Sequence, residues 1–135
     1  METNKLTDTL CVRGQITPGD VAAAKAAGFR AIICNRPDGE APGQPASDTI
    51  RAAAEACGLD FTYNPVSPGA ITPDAVERQG AALQGAGGKV LAYCGSGKRA
   101  TVLWALANPE GLSAEERLEC ASGAGYDLGE LRAAL

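Results

Sequence analysis

The chain has 135 residues, of which 45% are hydrophobic and only 4% aromatic, with a net charge of −4 and no histidine. That is the length of one ordinary domain with an aliphatic core, and an acidic balance without a basic stretch argues against nucleic acid or an anionic membrane as partner. The missing histidine removes His general bases, His triads and mixed Cys/His zinc sites, and the five cysteines (Cys11, Cys34, Cys57, Cys94, Cys120) lack tight metal spacing, so neither metal nor cofactor is expected.

The N-terminal segment carries no apolar signal stretch and no run approaches membrane-spanning length, so a cytoplasmic protein with reduced thiols is expected. Residues 9–13 read as a first strand. Thr17-Pro18-Gly19-Asp20 reads as a helix start with a capping hydroxyl, proline in the first turn and an early acid, and that helix stops at Gly28. Residues 29–34 are β-branched and apolar, a second strand. A long polar loop follows, Asn35-Arg36-Pro37-Asp38-Gly39-Glu40 through Pro45, which is uncommon as a mere connector.

Ile50, Ala53, Ala54 and Cys57 recur at helical spacing before Gly58. Residues 59–63 alternate as a half-buried strand, and Thr72-Pro73-Asp74 opens another helix. Gly85 to Gly88 turns the chain into an apolar strand, Lys89 to Tyr93, which delivers Cys94. A helix is expected over 99–107. Ser113-Ala114-Glu115-Glu116 is a capping box for a further helix, and Leu128, Leu131 and Leu135 follow helical spacing at the end. Strands alternating with helices predict an α/β fold, a single domain over 1–135 with a small, mostly parallel sheet of four to five strands flanked by helices.

Chemistry concentrates in Cys94-Gly95-Ser96-Gly97-Lys98-Arg99. A free cysteine is most often a small buried hydrophobe. Here, however, the glycines let the backbone turn sharply and aim successive N–H groups inward. The following helix adds its positive N-terminal end, with Lys98 and Arg99 beside it. A thiolate at Cys94 is then an anion in an anion site, nucleophilic without a histidine base. Gly95, Ser96, Gly97, Lys98, Arg99 and Ala100 form the candidate anion-binding loop, with Arg99 as a bidentate fork for an oxyanion. Ser96 is a turn residue or a hydroxyl facing the thiolate. Thr101 bonds back within its helix or assists a leaving thiolate. A nucleotide phosphate loop is rejected, because the opening glycine is missing and Arg99, not Ser or Thr, follows Lys98.

The cysteine loop, together with Gly14-Gln15-Ile16-Thr17-Pro18, Asn35-Arg36-Pro37-Asp38-Gly39-Glu40, Pro65-Val66, Ala70-Ile71-Thr72 and Gly125-Tyr126-Asp127-Leu128, resembles the phosphatase-like domain of bacterial beta-lactamase-hydrolase-like proteins. The resemblance spans nearly the whole chain and implies a fold similar to dual-specificity phosphatases. Two departures stand out: Gly95 replaces the family's usual arginine, and Tyr93 its frequent histidine.

The substrate class is a small anion, either a sulfane-sulfur donor or a phosphoester. Arginine comes five positions after the cysteine, one short of the tyrosine-phosphatase signature and similar to the rhodanese loop. That spacing favours a sulfurtransferase carrying a persulfide on Cys94. The alternative is a phosphatase passing through phosphocysteine, with Arg99 on the equatorial oxygens and Asp38 as acid. Asp74 is a second candidate acid, though a first-turn helix carboxylate is its plainer role. Arg36 and Glu40 either pair structurally or take a catalytic part. Cys34 is a gap-filling core residue or a resolving partner for Cys94. A third reading is a non-catalytic anion-binding module.

Overall fold

The apolar runs and capped helical stretches assemble, in a computed structural model describing residues 1–135, into one five-stranded sheet covered on both faces. The strands are β1 (Asn4–Thr7), β2 (Leu10–Arg13), β3 (Ala31–Cys34), β4 (Asp60–Tyr63) and β5 (Val90–Tyr93), in the spatial order β1-β2-β5-β3-β4. Pairing is parallel for β2–β5, β5–β3 and β3–β4, and antiparallel only for β1–β2. With strands on both sides and helices above and below, every residue of β5 is buried. This is why its sequence is a continuous apolar run rather than an alternating one.

Successive side chains leave opposite faces of the sheet. Leu10, Val12, Ile33, Val90 and Ala92 pack with Trp104, Ala105 and Ala121 from α4 (Lys98–Ala107) and α5 (Ala114–Gly123). Cys11, Ile32, Cys34, Leu91 and Tyr93 pack instead with Val21, Ala24, Ile50 and Ala54 from α1 (Pro18–Ala26) and α2 (Ser47–Ala56). Between β4 and β5 runs α3 (Pro73–Gly85). The predicted capping box forms at Ser113/Glu116, the expected capping hydroxyl of Thr17 forms a second box with Asp20, and the Thr72 hydroxyl caps α3 by accepting the Ala75 amide. No helix is long and apolar enough to cross a membrane.

Three details differ from the sequence reading. Strand β1 was absent from it, because its residues Asn4-Lys5-Leu6-Thr7 offer the core only Leu6. The C-terminal leucines do not form an α-helix: Leu131 sits on a 3₁₀ turn, Gly129–Ala134, and Leu128 and Leu135 flank it. A buried polar trio also went unread: Asn35 Nδ2 donates to Gln79 Oε1 at 2.9 Å, Asn64 Nδ2 to the same oxygen at 2.9 Å, and Gln79 Nε2 to Asn35 Oδ1 at 3.0 Å. The trio ties the loop after β3 to the loop after β4 and to α3, so both loops leave the sheet on fixed paths.

Candidate active site

The site lies at the C-terminal end of β5, the central strand, where parallel α/β sheets characteristically bind ligands. Cys94 is fully buried and its Sγ accepts the Gly97 N–H at 3.0 Å. Gly97 is the N-cap of α4 and holds φ at +95°, a left-handed conformation that glycine takes at no steric cost. The N–H groups of Gly95, Ser96, Arg99 and Ala100 have no protein partner. Open amides at a turn feeding a helix N-terminus make an anion-binding nest.

The side chains sort themselves. Arg99 Nη1 and Nη2 grip Glu40 at 2.7 and 3.0 Å, and Nη1 also donates to the Val66 carbonyl at 2.8 Å. Arg36 Nε donates to Glu40 at 3.0 Å, while its Nη1 donates to Gln15 Oε1 at 3.0 Å. One carboxylate therefore sits between two guanidiniums. Hydrogen bonding from Arg99, with Arg36 behind it, holds Glu40 below the usual glutamate range. The Arg36–Glu40 pairing foreseen as structural exists, but its reach extends to Arg99.

Lys98 pairs with Glu130 at 3.2 Å, and its amide donates to the Ser96 hydroxyl oxygen at 3.4 Å, while no hydrogen bond joins that hydroxyl to Cys94. Thr101 Oγ1 donates to the Gly97 carbonyl at 2.8 Å, the first of its two expected roles. Ala100 is buried and offers the site only its amide. At Gly95 an added Cβ would lie 3.0 Å from Arg99 Nη2 and 3.9 Å from Arg36 Nε, so a side chain there would press on the Arg99 guanidinium and touch Arg36. A cavity of about 620 Å³ opens above the loop, with Arg36, Lys98 and Arg99 on its polar side and Ile71, Val102 and Leu131 on its apolar side.

Neither candidate acid reaches this cavity. Both carboxylate oxygens of Asp38 are taken by the first residue of α2, Oδ1 by the Ser47 amide at 2.7 Å and Oδ2 by the Ser47 hydroxyl at 2.9 Å. Asp38 thus closes its own loop onto the first residue of α2, a role without a local sequence signature because donor and acceptor lie nine residues apart. Asp74 occupies the first turn of α3 and faces a separate surface cleft with Glu77 and Arg78. Cys34 stands opposite Tyr93 in the ladder, and its thiol donates to the Arg36 carbonyl at 3.3 Å. Burial pushes that thiol above the ordinary cysteine range.

Residues 2–110 match the sequence model of the family described as the phosphatase-like domain of beta-lactamase hydrolase-like protein. The chain belongs to that family. It is 37% identical over 106 residues to the beta-lactamase hydrolase-like protein of Agrobacterium fabrum, an alignment covering 78% of this chain and 25% of that protein. The chain thus spans about a quarter of the length of that curated relative. A crystal structure from Neisseria meningitidis, of a protein named provisionally as a phosphatase, superposes with TM-score 0.83 at 34% identity, over 96% of this chain and 92% of that one. Tk-PTP superposes with TM-score 0.72 at 14% identity, over 98% of this chain and 91% of its own, and shares the fold alone. This phosphatase-like domain thus supports the phosphatase alternative over the sulfur transfer expected from the Cys-to-Arg spacing.

Proposed function

We propose that this phosphatase-like domain is a cysteine-dependent phosphatase in which Cys94 attacks phosphorus. The observation that carries the reading is the Cys94 sulfur bonded by the Gly97 amide in a loop whose Gly95, Ser96, Arg99 and Ala100 amides are open, at the N-terminus of α4 and beneath Arg99. An S–P bond forms as the ester P–O bond breaks; water then attacks phosphorus, the S–P bond breaks, and orthophosphate leaves with the thiolate restored. The loop amides and Arg99 hold the non-bridging oxygens as charge shifts between them.

The leaving group fares differently. The carboxylates on the cavity wall are Glu40, held by Arg99 and Arg36, and Glu130, paired with Lys98. Each is committed to a cation, and Asp38 and Asp74 lie elsewhere. The substrate class is therefore a phosphomonoester whose leaving group departs as a stable anion, an aryl phosphate being the simplest, with its ring against Ile71, Val102 and Leu131.

The test is a series of aryl phosphates of falling leaving-group acidity, with an alkyl phosphate at the end and Cys94→Ser as the blank. The expected result is a rate that falls steeply along the series, with a phosphocysteine trapped on Cys94 by rapid acid quench. A flat dependence would mean that a proton donor acts after all. Thiosulfate-to-cyanide transfer dependent on Cys94, without hydrolysis of any ester, would restore sulfur transfer.

A further inference from the structure

The peptide joining Ser96 to Gly97 is held at both ends. Its N–H donates to Cys94 Sγ at 3.0 Å, and its carbonyl accepts the Tyr126 hydroxyl at 2.8 Å. In a trans peptide these two groups point in opposite directions, so fixing the carbonyl fixes where the N–H aims. The hydroxyl is itself positioned, since it accepts Asn4 Nδ2 at 2.9 Å from β1. Tyr126 follows α5, far from the cysteine loop in sequence and beyond the 2–110 segment that matches the family model.

A constraint of this kind is needed at this point. Gly97 has no Cβ to resist rotation of the preceding peptide, and a rotated peptide would turn a carbonyl oxygen toward the sulfur. Glycine is required there for a second reason: a Cβ at 97 would collide with the Tyr126 hydroxyl and sit 3.0 Å from its Cζ. The residue that frees the peptide to flip thus also admits the side chain that stops it. On the other side the loop is closed by the end of β2, where a Cβ at Gly14 would lie 2.8 Å from the Gly95 carbonyl oxygen.

We infer that Tyr126 is a positioning residue for the nucleophile, its hydroxyl holding the Ser96–Gly97 peptide with the N–H turned toward Cys94. The inference rests on Cys94 as the reactive thiol and not on which anion it attacks. Burial keeps the Tyr126 phenol above the ordinary tyrosine range, so it remains a donor at neutral pH. The other ionisable groups facing Cys94 are the Arg99 guanidinium and the Cys34 thiol, with Arg36, Lys98, Glu40 and Glu130 on the cavity wall.

The deciding experiment uses the full chain with Tyr126→Phe, which keeps the ring and removes only the hydroxyl. Cys94 alkylation by iodoacetamide is followed against pH, alongside aryl phosphate turnover and the denaturation midpoint read from Trp104 fluorescence. The expected result is an alkylation profile displaced to higher pH and kcat lowered about three- to tenfold with KM little changed, the size of one lost neutral hydrogen bond. Asn4→Ala, which leaves the phenol in place but unanchored, should displace the profile in the same direction by less. An unshifted profile in Tyr126→Phe overturns the inference, whether or not the midpoint falls, because the tyrosine is then only structural. If no phosphoester is turned over by the wild-type protein, the phosphatase reading fails while the alkylation profile still decides this one.

Discussion

The Glu40 carboxylate occupies the fork of Arg99, oxygen for nitrogen, at 2.7 and 3.0 Å, in the bidentate geometry an incoming oxyanion would use. An internal anion thereby competes with an external one. Glu40→Gln is expected to tighten inhibition by phosphate and orthovanadate several-fold, since the competing charge is gone while Arg99 keeps its bond to the Val66 carbonyl. Weaker inhibition in the variant would mean that Glu40 serves to orient Arg99 for its ligand.

The same pair has a pH signature. Glu40 is depressed in the folded state, chiefly by Arg99, so its contribution to stability is present above the unfolded glutamate value of about 4.3. It is lost as the pH falls through the lower folded value. Stability followed by Trp104 fluorescence should therefore fall as the pH drops through that window, and Glu40→Gln, less stable at neutral pH, should lose that part of the acid-side dependence. An unchanged acid limb in the variant would assign it to other carboxylates.

Arg99→Ala is expected to weaken oxyanion binding by roughly 1.5–3 kcal/mol, about ten- to a hundredfold. Arg99→Lys should recover little, because an ammonium cannot engage two oxygens in the plane of a fork. Isothermal titration with orthovanadate measures both. Lysine restoring full affinity would reduce Arg99 to a point charge.

Gln79 receives two amide donors and supplies a third hydrogen bond inside a fully buried cluster. Gln79→Leu leaves Asn35 and Asn64 short of partners, at about 1–3 kcal/mol for each unsatisfied group. Urea denaturation should show the loss. Because both active-site loops leave from Asn35 and Asn64, turnover should also fall at denaturant levels that leave α4 folded.

Tyr93 presents the opposite case. Its hydroxyl is buried without a hydrogen-bond partner. Tyr93→Phe removes a desolvated hydroxyl and keeps the ring, so stability should hold or rise, by up to about 1–3 kcal/mol. A loss of more than about 1 kcal/mol would mean the hydroxyl is satisfied in solution.

Peroxide treatment should oxidise Cys94 and leave Cys34 a free thiol. Burial holds the Cys34 thiol protonated at neutral pH, and its hydrogen already goes to the Arg36 carbonyl, so it is a poor resolving nucleophile. Non-reducing peptide mapping decides the matter, with a Cys34–Cys94 disulfide as the contrary result.

What could be read along the chain was whatever local chemistry announces. The capping hydroxyl at Thr17, the capping box at Ser113, the apolar run into Cys94 and the glycine-basic loop after it each depend on neighbours a few residues away. The mostly parallel sheet followed from the alternation of strands with helices. Resemblance over the scattered motifs then supplied the family. Contacts between distant segments had no such local trace. Asp38 reads as a loop acid until α2 arrives to take both its oxygens, and Glu40 reads as a partner for Arg36 until α4 brings Arg99 within reach. Tyr126 gains its place only when the chain's end folds back over Gly97. In each case one carboxylate or hydroxyl has more than one eligible partner, and the choice among them is made by which loops the sheet order sets side by side.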